Sequence, residues 1–286
     1  MVNICYHHTD HDGLCAAAIV GAEKNIKLGY STKITASDIL NTCSGQVVAM
    51  VDFSLEINKM RQIQEVAKDF IWIDHHESAR PCTSLGLRGI FSVEKAGCEL
   101  TWDFFNPKKT PPDVVRYVGD RDIWKFSYPE TKIYGFGLNV TEGLDDPLSA
   151  VWVRLLSTND FTSKILEAGE IASKVVYSDI EWTERLNLYR VGKIFIINAS
   201  SNVSELASAI IDKNGEDCLV MIWQLAKKGL RISFRGHGAG ETAENLSKSL
   251  GVRGGGHSRA SGLSLPITHP MMWSMLQDLY KNAQPI

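Results

Sequence analysis

Residues 70–78 read Phe70-Ile71-Trp72-Ile73-Asp74-His75-His76-Glu77-Ser78. A short apolar run that reads as a buried strand stops abruptly in carboxylate and imidazole side chains. Two earlier segments end the same way. Ile4-Cys5-Tyr6 runs into His7-His8-Thr9-Asp10-His11-Asp12-Gly13, and Val47-Val48-Ala49-Met50-Val51 runs into Asp52-Phe53-Ser54. Five of the eight histidines lie in residues 4–13 and 70–78, so the imidazoles are concentrated. Strands that end in ligand chemistry point to one site, at the carboxyl ends of the strands of an open α/β sheet.

Working outward, helical patterns separate these strands. Leu14 to Glu23 is a small-residue helix able to pack closely on a sheet. Leu55 to Lys68 carries Leu55, Ile57, Met60, Ile63 and Val66 at roughly helical spacing. Ala96 to Phe105 and Asp113 to Val118 continue the helical material, with Pro111-Pro112 at a helix start. Residues 142–190 carry no strand signal. Strand signals resume at Lys193–Asn198, Cys218–Trp223 and Leu230–Phe234, separated by helix-like Val203–Ile211 and Glu241–Leu250. The expected fold is α/β. A largely parallel sheet flanked by helices occupies 1–150, a helical connector 151–190 and a smaller α/β domain 191–286, with the active site in the cleft between domains.

The 286 residues are 44% hydrophobic and 22% charged, ample for two cores. A formal charge of −3 gives no global attraction to nucleic acid or to acidic membranes, so anion recognition must be local. The N-terminus lacks the pattern of a signal peptide, and no apolar run reaches the ~20 residues of a membrane span. The six cysteines form no C-x-x-C pair and read as reduced thiols of a cytoplasmic protein.

In extended chain, His8, Asp10 and Asp12 project to one side, and carboxylates with neutral imidazoles suit borderline-hard divalent ions. The competing reading is a loop whose Asp caps a helix. Asp52 is likewise either a metal ligand able to bridge two ions or an N-cap of the helix near Leu55. Adjacent histidines diverge on a strand, which assigns His75 to metal and His76 to phosphate contact, with Asp74 as ligand or supporting carboxylate. Gly119-Asp120-Arg121-Asp122 offers a fourth acidic position, and Asp120 is chosen over Asp122. His7 and His11 face away, in hydrogen-bonding or structural roles. Near the C-terminus, Gly254-Gly255-Gly256-His257-Ser258-Arg259 reads as a loop whose backbone N–H groups approach an anion, with His257 and Arg259 as added donors. Arg235, ending a strand, suits a bidentate phosphate contact.

These segments together resemble the DHH phosphoesterase superfamily, which includes RecJ-like exonucleases, nano-RNases, pAp phosphatases, cyclic-dinucleotide phosphodiesterases and family II pyrophosphatases. His8 to Gly13 resembles its first motif, Asp52 its second, Asp74-His75-His76 its third and Gly119-Asp120 its fourth. Gly254 to Gly262 resembles the glycine-rich signature of its substrate domain, with Ser261 in place of an alanine. The resemblance implies two divalent cations, Mn²⁺ first, with Mg²⁺, Co²⁺ or Zn²⁺ as alternatives. It implies that His8 (or His7), Asp10 and Asp52 hold one ion, and Asp12, Asp52, His75 and Asp120 the other. The expected reaction is hydrolysis of short single-stranded oligonucleotides or small nucleotides by in-line attack of a bridging hydroxide. His76 and Asp74 act at the catalytic centre, while Arg235, Gly254, Gly255, Gly256, His257 and Arg259 hold substrate. Polyphosphate or pyrophosphate hydrolysis and a non-catalytic nucleotide sensor are the rival readings. A homodimer is compatible with the sequence, and no membrane partner is expected.

Overall fold

The computed structural model describes residues 1–28, 35–271, 273, 274, 277, 278, 281 and 283–286, apart from the side chains of Ala36 and His257. The chain folds into two compact units, Met1–Ser173 and Lys174–Ile286.

The first unit is built on five parallel strands: β1 (Ile4–His7), β2 (Lys24–Lys27), β3 (Val47–Val51), β4 (Asp69–Asp74) and β5 (Arg88–Phe91), in the order β2-β1-β3-β4-β5. The crossovers are α1 (His11–Val20), α2 (Ala36–Cys43), α3 (Ile57–Val66) and a 3₁₀ helix over Glu77–Leu85. Then follow α4 (Gly97–Phe105), α5 (Asp113–Asp122), α6 (Thr131–Asn139), α7 (Ala150–Ser157) and α8 (Thr162–Asn187), and the boundary between the units falls within α8.

Period-two alternation explains why both sheet faces are covered. Cys5, Ala49, Val51, Ile71 and Ile73 enter one core with α1, α4 and α5. Their neighbours Ile4, Tyr6, Val48, Met50, Phe70 and Trp72 enter another, with Ile39 of α2 and Met60 and Ile63 of α3. Along α1 the buried run Gly13-Leu14-Cys15-Ala16-Ala17 keeps the helix close to its neighbours. Strand order reverses between β1 and β3, and that switch point lies among the three strands that end in ligand chemistry. Register pairs His7 with Val51 and Val51 with Ile73, so the three strand ends stand level.

The second unit carries a seven-stranded mixed sheet, β10-β11-β9-β8-β7-β6-β12. Its elements are β6 (Tyr189–Val191), β7 (Ile194–Asn198), α9 (Val203–Asn214), β8 (Leu219–Ala226), β9 (Gly229–Gly236), α10 (Ala239–Leu250), β10 (Gly254–His257), β11 (Ala260–Pro266) and β12 (Gln284–Pro285). Val220 and Ile222 pack with Leu206, Ala207 and Ile210 of α9, while Leu219 and Met221 pack with Ala239 and Ala243 of α10. Among the described residues no helix is long and apolar enough to cross a membrane.

One expectation changes here. Gly254-Gly255-Gly256-His257 is not a loop but β10, an edge strand paired antiparallel with β11. Gly255 and Gly256 hold φ of 152° and 146°, a backbone that disfavours side chains, and a Cβ on Gly256 would sit 2.5 Å from the Ala260 carbonyl oxygen. The glycines therefore serve a tightly paired hairpin.

Candidate metal centre

Asp52 sits immediately past β3 with φ of 52°, a left-handed conformation that Asp tolerates, and its N–H donates to the Ile73 carbonyl. The residue is 1% exposed and does not cap α3, whose N-cap is Glu56. Its two oxygens face different partners. Oδ1 lies 3.1 Å from His75 Nε2, and Oδ2 lies 3.4 Å from His8 Nδ1. Oδ2 is buried and accepts no hydrogen bond.

Two donor groups flank this carboxylate. His8, Asp52 and His76 bring donor atoms within 4.8 Å of one another, and so do Asp12, His75 and Asp122. His75 Nε2 lies 3.7 Å from Asp12 Oδ2 and 3.5 Å from Asp122 Oδ2. Asp12 reaches the centre from the first turn of α1 rather than by strand alternation, because the helix starts at His11. The N-terminus of α4 fixes it there: the Gly97 and Cys98 N–H groups donate to its two oxygens at 2.7 and 2.8 Å. Gly97 has no room for a side chain, since a Cβ would lie 2.5 Å from Asp52 Cβ and 2.9 Å from Asp12 Oδ2.

The expected residues divide clearly. His8, Asp12, Asp52, His75 and His76 come together. Asp10 caps α1 by accepting from the Gly13 N–H at 3.0 Å, keeps half its side chain exposed, and lies 3.9 Å from His8. His7 is fully buried with Nδ1 2.6 Å from the His8 carbonyl oxygen. Asp74 is also buried, and its Oδ1 accepts from the His75 and His76 N–H groups and from His76 Nδ1 at 2.8 Å, while Oδ2 accepts from Ser54 Oγ at 2.5 Å. It is a positioning carboxylate.

Asp120 goes elsewhere. Its oxygens accept from the Ser127 and Tyr128 N–H groups at 2.9 and 3.3 Å and from Thr131 Oγ1 at 2.5 Å. Those bonds fix the loop into α6, and Asp122 takes the place among the donors that was expected for Asp120. A sequence signal for this existed. Asp122 lies four residues after Val118 and seven after Val115 and so shares their side of the helix, whereas Asp120, although the more buried of the two, lies off that side.

The electrostatics are those of crowded anions. Burial, then the charges of Asp12, Asp10 and Asp122, push the Asp52 carboxyl well up. Burial, then Asp12 and Asp10, does the same to Asp122, although 29% of its side chain is exposed. Burial lowers His8 and His75 and favours the neutral, ligating imidazole. Burial opposes charge on His76 too, but the Asp74 hydrogen bond and charge outweigh it and raise its pKa. Acidic oxygens pressed together beside neutral imidazoles fit divalent cations.

Solved structures share this architecture. The DHH domain of a member of a ribosomal-protein family aligns over 98% of this chain and 86% of its own, with TM-score 0.55 and 14% identity. The chain has the DHH fold. The pGpG-specific phosphodiesterase PggH of Vibrio cholerae aligns over 98% of both chains, with TM-score 0.53 and 13% identity. Exonuclease RecJ bound to manganese aligns over 99% of this chain and 90% of its own, with TM-score 0.52 and 13% identity. Among curated sequences, the uncharacterized protein R106 of Acanthamoeba polyphaga mimivirus is 26% identical over 289 residues, 91% of this chain and 66% of that protein. The chain thus spans just under two thirds of the length of the curated relative it matches. No family model matches.

Within the DHH fold, the second unit groups the substrate-binding candidates around Ala260, which pairs with Arg235 on one side and His257 on the other. Arg235 donates through Nη1 to the Phe234 and Ser261 carbonyls at 3.0 and 3.3 Å. Arg259 is exposed and ion-paired with Glu216. The His257 side chain lies outside the described residues.

Proposed function

We propose that the chain is a divalent-metal-dependent phosphoesterase, with Mn²⁺ as the working ion, acting on phosphodiester or phosphomonoester bonds of short oligonucleotides or small nucleotides. The observation that carries this reading is Asp52, a buried carboxylate whose two oxygens face the two donor groups, as a bridge between ions requires. RecJ, solved with manganese, shares the fold and supports the choice of ion.

When bound, a pair of divalent ions would supply an activated water and neutralise charge on the phosphoryl oxygens. His8, Asp52 and His76 would hold one ion, and Asp12, His75 and Asp122, with Asp52 beside them, would hold the other. Gly97 and Cys98 hold Asp12 in place, and Asp74 orients His76 through Nδ1. That leaves Nε2 as the His76 nitrogen able to serve an ion or to donate a proton to a phosphoryl oxygen. The modest net charge of −3 favours short substrates over a long phosphate-tracking groove. Six free, buried cysteines support a reducing compartment, the cytoplasm.

The test is hydrolysis of RNA dimers by the full chain with Mn²⁺, with metal content measured in parallel. Turnover should vanish on chelation and in Asp52→Asn, with fewer than two ions retained by the variant. Unchanged turnover in Asp52→Asn would overturn the reading.

A further inference from the structure

The segment after Asp122 carries two strained aromatic residues. Helix α5 ends in a left-handed cap in which the Trp124 N–H donates to the Arg121 carbonyl and the Lys125 N–H to the Asp120 carbonyl, both at 3.0 Å. This pairing is the Schellman arrangement, whose left-handed residue is usually glycine. Here it is Trp124, with φ of 58°. Phe126, two residues on, holds φ of 50°. Bulky residues are rare in this region and persist when the surroundings hold them there.

The surroundings do hold them. Asp120 grips the Ser127 and Tyr128 N–H groups, Lys125 Nζ donates to the Glu94 carbonyl at 3.0 Å, and Lys132 Nζ lies 4.9 Å from the Phe126 ring centroid. Trp124 and Phe126 meet edge to face, 4.7 Å apart and inclined by 78°. The motif's customary apolar contact would join residues 120 and 125, which are Asp and Lys, so cap packing does not account for the tryptophan. Trp124 is 42% exposed. Its Cα lies within about 7 Å of that of Asp122, the reach of two residues.

We propose that Trp124, backed by Phe126, is a base-stacking platform that selects phosphoesters carrying a nucleobase. The inference rests on the phosphoesterase reading of the metal centre and adds to it the side chain that recognises the base. It commits to a nucleobase because an exposed aromatic ring two residues from a donor carboxylate is within reach of a nucleoside whose phosphate is bound there. It also gives Asp120 a role: the carboxylate holds the loop that presents the rings.

The experiment compares Trp124→Gly and Trp124→Phe in the full, Mn²⁺-loaded chain. Substrates are an adenine dinucleotide and its abasic counterpart, with equilibrium dialysis of adenosine monophosphate and thermal melts alongside. Glycine relaxes the cap, so Trp124→Gly should melt no lower than wild type. Its kcat/KM ratio of dinucleotide to abasic substrate should fall about tenfold, within the range of a base–aromatic stack, and adenosine monophosphate should bind correspondingly more weakly. Trp124→Phe should recover most of both. A lower melting temperature with the substrate ratio within twofold of wild type would make Trp124 structural and overturn the proposal. If wild type cleaves neither substrate, the phosphoesterase reading fails and dialysis decides the platform alone. Absent binding, or equal binding by wild type and Trp124→Gly, then overturns it.

Discussion

Replacing Asp120 and Asp122 one at a time should give opposite signatures. Asp120→Ala removes a carboxylate that accepts three hydrogen bonds, from Ser127, Tyr128 and Thr131. Hydrogen bonds to charged groups are worth roughly 1.5–3 kcal/mol each, but the freed Ser127 and Tyr128 groups belong to exposed residues and regain water. The net loss should be about 3 kcal/mol, which for a unit of this size lowers Tm by roughly 6–12 °C. Metal content should stay at two ions per chain. Asp122→Ala removes a donor and should leave one ion. Because the Asp122 pKa is raised on folding, its stabilising contribution exists only below the unfolded carboxylate pKa and is lost as pH rises through the folded one. At pH 7 its charge therefore destabilises the metal-free protein, and the variant should melt no lower than wild type in EDTA. The assay is Mn²⁺ loading, desalting and elemental analysis, with melts in EDTA. Loss of an ion from Asp120→Ala together with full occupancy of Asp122→Ala would refute the assignment.

Further expectations follow from the same contacts. Gly97→Ala forces a Cβ to within 2.5 Å of Asp52 Cβ; it should cost about 1–3 kcal/mol in denaturant unfolding and weaken Mn²⁺ binding roughly 10–100-fold by calorimetry. Because Asp52 and Asp122 carry raised pKa values, protons compete with cations there; Mn²⁺ affinity should rise with pH, with proton release visible as buffer-dependent binding enthalpy. His11 titrates near 4, lowered first by burial and then by Arg121. Its folded pKa lies below its unfolded 6.5, so the stability it contributes is present above pH 6.5 and is lost as pH falls toward 4, roughly 3 kcal/mol in all. His11→Gln should flatten the pH dependence of the metal-free melting temperature in that window, and an unchanged slope would contradict the cause.

Much of the first sheet was legible because β1, β3 and β4 are buried on both faces and read as apolar runs. Their abrupt ends at His8, Asp52 and Asp74 marked the site. What stayed hidden has physical reasons. β2, Lys24-Asn25-Ile26-Lys27, is a short polar edge strand and carries no core pattern. The reading of His8, Asp10 and Asp12 as a strand face missed that Asp10 caps α1 and so turns Asp12 onto a helix. The choice of Asp120 overlooked the valine face of α5. The glycine run near the C-terminus is compatible with loop or strand, and only pairing with β11 decides between them. Gly97 and Cys98, neither anticipated, act through backbone N–H groups, which a side-chain reading does not display.

The central claim is a metal-dependent phosphoesterase for short nucleotide substrates. Its most direct test is ion-exchange product analysis with the full chain, Mn²⁺ and an equimolar panel of RNA and DNA dimers to pentamers, pAp, cyclic dinucleotides and a short polyphosphate. Mononucleotides released from the short oligomers, or orthophosphate from pAp, and neither after chelation, is the predicted result. No product from any nucleotide while the chain holds two ions would contradict it.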